Sequence, residues 1–204
     1  MASKVKSLPT GKDKQSIRNL AAYDNSAFDP GRGFFVRTVW YYTSLLLFEG
    51  GWLPVSGIKC LVLRIFGASV GRGVVIRQNV RIKFPWKLAI GESSWIGQDV
   101  WIDNLDKVTI EDNCCVSQGV YICSGSHDRH SATFELMTGE IIVKRGAWLA
   151  ARSILLAGAI VQLGEVVSAG TVRRRDPSVT LARFGIGSTS ASTSLTSPNG
   201  ASDS

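Results

Sequence analysis

A six-residue period runs through the middle of this 204-residue chain. Val, Ile or Leu recurs as Val70, Ile76 and Ile82, then Ile90, Ile96 and Ile102, then Ile110, Val116 and Ile122, and finally Val143, Leu149, Leu155, Val161 and Val167. The residue two places earlier is usually small or β-branched, as in Ala68, Val74, Ser94, Val100, Cys114, Ala147, Ser153 and Ala159. In a strand, residues i−2 and i point to the same side. Each hexad therefore buries a large anchor and a smaller partner and then turns a corner. Three such sides close a triangular coil, and stacked coils share a core that no single repeat could bury. The pattern predicts an all-β parallel β-helix of about five coils over residues 67–177.

The interruptions carry as much information as the repeat. After Ile82 and after Ile102 the next anchor comes eight residues later, and after Ile122 it comes twenty-one later. All three extra segments must leave from the same corner of successive coils. The longest, residues 123–142, is of a length that in a compact fold usually carries function or is disordered. Glu165 occupies an inward slot two places before Val167, and an unpaired carboxylate there would be costly. It is expected near an open end of the helix, or paired with an arginine. The repeat stops at Asp176-Pro177, because proline cannot continue a ladder.

The flanks differ in character. Residues 1–66 form a basic N-terminal part with Lys4, Lys6, Lys12, Lys14 and Arg18, followed by an apolar stretch, Phe34 to Phe48, interrupted by Arg37. That stretch is too short to span a bilayer, which needs about 20 residues, so it is a helix packed on the protein or one lying at a membrane interface. No signal peptide is apparent. The C-terminal extension, residues 178–204, is expected to be largely disordered, its Ser/Thr/Gly-rich end from Gly187 to Ser204 being unable to build a core. The formal charge of +7 suits an anionic ligand or an anionic membrane surface, and no nucleic-acid motif accompanies it. Cys60, Cys114, Cys115 and Cys123 lack metal-ligand spacing, and the only histidines are His127 and His130. No metal is therefore expected, and a reduced, cytoplasmic compartment is the simpler reading of the cysteines.

Within the long loop stands Ser124-Gly125-Ser126-His127-Asp128, close to the corner where Asp103 and Asn104 of the preceding coil project. Here the chain resembles the hexapeptide-repeat acyltransferases, especially sugar O-acetyltransferases of the colanic acid biosynthesis type. The resemblance rests on the hexads from Leu61 to Pro177 and on four local stretches: Ile65-Phe66-Gly67-Ala68, Trp101-Ile102-Asp103-Asn104-Leu105, Ser117-Gln118-Gly119 leading to Gly125-Ser126-His127-Asp128, and Gly146-Ala147-Trp148. It implies a left-handed coil, which the period alone does not reveal. It further implies a homotrimer and acetyl-CoA as co-substrate, with acetyl passing directly to a hydroxyl of a sugar or polysaccharide precursor, His127 acting as the general base and no acyl-enzyme forming. An imidazole exchanges its proton near neutral pH, as deprotonating a hydroxyl requires.

By position in the family, coenzyme A would contact Trp148, Ala151, Arg152, Ala169, Gly170, Arg174 and Arg175. Asp103 and Asn104 would bind the acceptor, or Asp103 would orient His127, or the two form a polar corner without a ligand. His130 is expected to be a solvated loop residue. Trp86, Trp95 and Trp101 offer stacking faces for a sugar, although Trp95 and Trp101 directly precede anchors and fit a subunit interface better. Two features depart from the family. Ala150 and Ser168 replace the usual glycines, and Leu181-Ala182-Arg183-Phe184-Gly185 replaces the common ending, which puts the adenine end of the site in question. An acceptor other than a sugar, such as serine or an antibiotic, and a non-catalytic assembly module remain alternatives. The gamma-class carbonic anhydrases use three zinc-binding histidines that the spacing of His127 and His130 does not supply. A glycan acceptor would place the chain at the inner face of the membrane, with its N-terminal segment as a peripheral contact.

Overall fold

A computed structural model describes residues 19–185. Its body is a parallel β-helix of five coils. The first is built from β1 (Ser69–Val70), β2 (Val75–Ile76) and β3 (Arg81–Ile82), and the second from β4 (Leu88–Ile90), β5 (Trp95–Ile96) and β6 (Trp101–Asp103). The third is β7 (Val108–Ile110), β8 (Cys115–Val116) and β9 (Tyr121–Cys123). The long loop then adds β10 (Gly125–His127) and β11 (Leu136–Thr138) before the fourth coil, β12 (Ile141–Val143), β13 (Trp148–Leu149) and β14 (Ile154–Leu156). The last coil is β15 (Ile160–Val161), β16 (Val166–Val167) and β17 (Val172–Arg173). Corresponding strands pair in parallel into three five-stranded sheets, led by β1, β2 and β3 respectively.

Every anchor of the repeat is buried, none more than 9% exposed, and so are the smaller partners from Ala68 to Ala159. Hydrogen bonds run along the axis from coil to coil, for example Val75 N–H to the Ser94 carbonyl at 3.0 Å and Trp95 N–H to that of Cys114 at 2.8 Å. The polar partner Ser94 fits this core because its Oγ donates to the Glu111 carbonyl at 2.8 Å and accepts from Cys114 N–H at 3.0 Å.

A stack of this kind leaves unpaired strand edges and an open core at each end. At the N-terminal end the cap is helical. The helix α1 (Phe34–Ser44) runs on through a π-helical turn, Leu45–Glu49, and is followed by α2 (Ser56–Ile65). Trp40, Phe48 and Leu63 close the core. Polar side chains of the same helices take the free edge of the first coil. Ser56 Oγ accepts from Ile76 N–H at 3.0 Å, Lys59 Nζ donates to the Arg77 carbonyl at 2.6 Å, Arg64 Nε to that of Val70 at 2.9 Å, and Trp40 Nε1 to that of Ile82 at 3.0 Å. Burial pushes the Lys59 ammonium below its ordinary pKa. At the other end Glu165 meets Arg173, which stands where the next anchor would be. The pair lies 3.0 Å apart, and Glu165 also accepts from Gln162 N–H at 2.7 Å. Glu165 is thus both at an open end and paired with an arginine.

The three interruptions stack on one corner, between the third and first sheets, and a polar ladder holds them. Ser124 Oγ accepts from Asp106 N–H at 2.8 Å, and Thr138 Oγ1 donates to Asp106 Oδ2 at 3.0 Å. Asn104 belongs to this ladder. Its side chain is 0% exposed, with Oδ1 accepting from Phe84 N–H at 3.0 Å and Nδ2 donating to the Phe84 carbonyl at 2.6 Å. The expectation that Asn104 binds the acceptor is therefore corrected, because both ends of its amide hold the preceding coil's corner.

Of the C-terminal extension, residues 178–185 are described, and within them β18 (Ala182–Phe184) pairs antiparallel with β11. Most of the tail expected to be disordered, from Gly187 to Ser204, and the basic residues Lys4, Lys6, Lys12, Lys14 and Arg18 lie outside the described residues. No helix among the described residues is long and apolar enough to cross a membrane.

Two outcomes test this architecture. Asn104→Ala leaves the buried Phe84 N–H without a partner, at about 1–3 kcal/mol, while the Phe84 carbonyl keeps the Lys87 N–H at 3.0 Å; urea unfolding with a midpoint like wild type would contradict the staple. A double-mutant cycle on Glu165→Ala and Arg173→Ala is expected to return about 1 kcal/mol of coupling for this half-exposed pair, and simple additivity would show that the pair does not close the end.

Candidate active site

The loop that carries His127 is a small antiparallel sheet in the order β10, β11, β18, set on the polar corner. Gly125 begins it, packed so closely on the Leu105 side chain that a Cβ there would require the end of that side chain to shift. Ser126 pairs with Met137 and His127 with Leu136. The tip is shaped by Asp128, whose Oδ1 accepts from His130 N–H at 2.9 Å and whose Oδ2 pairs with Arg183 Nη2 of β18 at 3.2 Å. His130 itself is exposed.

His127 is half-buried and fixed from three sides. Its Nδ1 lies 2.9 Å from the Phe134 carbonyl oxygen. A carbonyl can only accept, so Nδ1 carries the hydrogen and a neutral ring keeps its lone pair on Nε2. The imidazole also stacks on the Phe134 ring, centroids 4.1 Å apart and planes within 3°, and Tyr23 meets it edge-on at 5.6 Å. Phe134 achieves this with φ at +54°, a left-handed conformation that costs a bulky residue energy and clusters at functional sites. The N-terminal segment holds the loop from the other side, through Asn19 N–H to the Ala132 carbonyl at 2.9 Å.

Asp103 stands on the same corner but serves other partners. Lys83 Nζ lies 2.9 Å from its Oδ1, and the Tyr121 hydroxyl donates to its Oδ2 at 3.2 Å. Burial, and then the Cys123 thiol and the Asp103 carboxylate alongside, hold the Tyr121 phenol well above its ordinary pKa, so it remains a donor. The group that orients His127 is thus the Phe134 backbone, not Asp103. Neither Phe134 nor Tyr23 is singled out by the sequence. Backbone carbonyls leave no trace in residue type, and Tyr23 lies 104 positions from its partner in the chain.

The residues expected to hold coenzyme A form a strip on a different edge. Ala151 and Arg152 turn the corner between β13 and β14, Ala169 and Gly170 turn the next one, and Gly170 N–H bonds the Ala151 carbonyl at 3.0 Å. Trp148, 48% exposed, borders this strip from the second sheet and donates from Nε1 to Ser117 Oγ at 2.8 Å. Arg174 and Arg175 follow β17 and are exposed, whereas Arg173 is engaged by Glu165. Within one chain, the whole third sheet separates the alanine and glycine strip from the His127 corner. A groove of about 600 Å³ on the second sheet runs past Trp95, Gln98, Ser117 and Gln118. Among the described residues no group of three or more His, Cys, Asp or Glu is arranged to hold a metal ion.

No family model matches the chain. The protein named as the colanic acid biosynthesis acetyltransferase WcaF of Escherichia coli (strain K12) is 34% identical over 153 residues, spanning 72% of this chain and 83% of that relative. The protein of the same name from Shigella flexneri matches equally. Among solved structures, a hexapeptide-repeat acetyltransferase of Vibrio cholerae O1 biovar eltor, complexed with acetyl-coenzyme A, superposes with a TM-score of 0.63 at 15% identity, covering 81% of this chain and 97% of that one. A maltose O-acetyltransferase of Clostridium difficile 630 gives 0.55 at 16% identity, covering 76% and 90%. These two likenesses establish the shared coil; the curated relatives, with their higher identity and coverage, establish that the chain belongs to the colanic acid biosynthesis acetyltransferase family.

Proposed function

We propose that this acetyltransferase moves an acetyl group from acetyl-CoA directly to a hydroxyl of a sugar or polysaccharide precursor, with His127 as general base. The observation that carries the reading is the Nδ1–H to Phe134 carbonyl bond, which leaves Nε2 as the one ring nitrogen able to take a proton. Nε2 removes the hydroxyl proton as the oxygen attacks the thioester carbonyl. The tetrahedral intermediate then expels the thiolate of CoA, which recovers that proton from the imidazolium, so no acyl-enzyme is needed. The stacked Phe134 ring and Tyr23 keep the imidazole in one orientation, so little ordering is left to do at the moment of reaction.

Acetyl-CoA fits the strip on the other edge. Ala151, Ala169 and Gly170 let an extended arm approach the backbone, Trp148 offers an apolar face, and Arg152, Arg174 and Arg175 supply charge for phosphates. The strip and His127 occupy different edges of one chain, so a base from one subunit facing the strip of the next is the arrangement that joins them. A homotrimer satisfies this, with Trp95, Trp148 and Val166, all exposed on the second sheet, as contact surface. The partners are thus acetyl-CoA, the glycan acceptor and two further copies of the chain.

The localisation in this reading is cytoplasmic, with peripheral contact at the inner face of the membrane. Phe34, Phe35, Tyr42 and Leu46 of the helical N-terminal part point their apolar surface outward, the first two more than 75% exposed, and the basic residues before them would complement anionic headgroups.

His127→Ala is expected to keep the circular dichroism and melting behaviour of the wild type while losing about 10²–10⁴ of turnover, measured as thiol release with a panel of sugars; unchanged turnover would remove His127 from this role. Co-sedimentation with anionic vesicles is expected at low salt and should weaken as salt screens the charges; indifference to such vesicles would end the membrane assignment.

A further inference from the structure

Between α1 and the corner that bears the catalytic loop lies a cleft of about 290 Å³. Arg37 and Tyr41 line it from the helix, and Arg81, Lys83, Trp86 and Trp101 line it from the coils. Its charges are unevenly satisfied. Lys83 pairs with Asp103, which also belongs to the wall, and Glu49 accepts a hydrogen bond from Ser44 Oγ at 3.0 Å. The two guanidinium groups have no carboxylate partner among the described residues. Arg81 rests over one face of the Trp101 ring with its Cζ 4.6 Å from the centroid, Tyr121 covers the other at 4.7 Å, and Arg37 Nε is removed from solvent without a hydrogen-bond partner among the described residues. A buried cationic N–H left without an acceptor is costly. Its retention beside a second guanidinium without a carboxylate is the arrangement that binds phosphate, and Trp86, which stacks on Phe84, adds an apolar surface to the wall against which a sugar ring can rest.

We propose that this cleft anchors the acceptor, and that the acceptor is a sugar carrying a phosphate ester. Arg37 and Arg81 hold the phosphate, and the sugar ring rests against Trp86. The volume is at the lower end for small-molecule sites, about 300–1,000 Å³, which suits one phosphorylated sugar unit rather than a long glycan. The position agrees with such a role. Asp103 in the wall is the strand partner of Cys123, and His127 follows Cys123 by four residues, a stretch that spans at most about 14 Å. An acceptor fixed in the cleft is thereby kept beside the loop. This assignment names the substrate class for the acetyl transfer proposed above and rests on that reading for its purpose, though not for its geometry.

Binding measured without acetyl-CoA separates the two. Tryptophan fluorescence of the full chain is titrated with glucose, glucose 1-phosphate and UDP-glucose. At least one phosphate ester is expected to bind about tenfold tighter than glucose, and the tighter of the two identifies whether the phosphate comes from a simple ester or from a nucleotide. Arg81→Ala, at an exposed position, and Arg37→Gln should each bring that preference close to unity, with melting curves confirming the fold. Equal binding of glucose and both esters overturns the proposal, as does a preference that survives both substitutions. Phosphatidylglycerol vesicles form the remaining arm: if the substitutions weaken vesicle binding alone, the cations serve a lipid surface and the cleft is not a sugar phosphate site. A chain that prefers the esters yet transfers no acetyl group would refute the catalytic reading and leave this one standing.

Discussion

The axial hydrogen-bond ladder governs this molecule. Each short strand bonds only to the coils above and below, so no coil is complete alone and the first and last are always deficient. The N-terminal helices exist to meet that deficiency. They supply apolar closure from Trp40, Phe48 and Leu63, together with donors and acceptors from Ser56, Lys59 and Arg64 for strand edges that have no neighbour. The far end is closed more cheaply, by replacing an inward anchor with Arg173 and giving it Glu165. The polar corner follows from the same constraint. Wherever the chain leaves the hexad, the ladder is broken, and Asn104, Ser124 and Thr138 restore its bonds with side chains.

The coils were legible in the sequence because burial acts on every sixth residue in the same way, and a β-helix repeats its constraint often enough for the pattern to emerge. Glu165 was legible as an exception for the same reason. The corners were not. Once strand alternation stops, residue type no longer says which way a side chain points, so Asn104 looked like a ligand contact although it is wholly enclosed. The last described residues were unreadable for a different reason. Leu181 to Gly185 lack the family's ending, yet Ala182–Phe184 finds a partner in β11, a pairing between segments more than forty residues apart that composition cannot reveal.

The candidate site divides in a similar way. That His127 is the distinctive residue follows from where the repeat is interrupted. What makes it chemically defined is a main-chain oxygen belonging to Phe134, held in an unfavourable backbone conformation. Three consecutive arginines have two fates: Arg173 pairs with Glu165 at the end of the core, and Arg174 and Arg175 are exposed. Charge runs can thus be split between structure and binding when a turn separates their members.

The strand β18 fills the outer edge of the sheet that holds the His127 loop, and it is made from residues that follow the last coil. The loop therefore draws its outermost strand, and the Asp128 to Arg183 pair at its tip, from a segment that the repeat does not include. Its ordering depends on residues beyond the coils rather than on the coils alone.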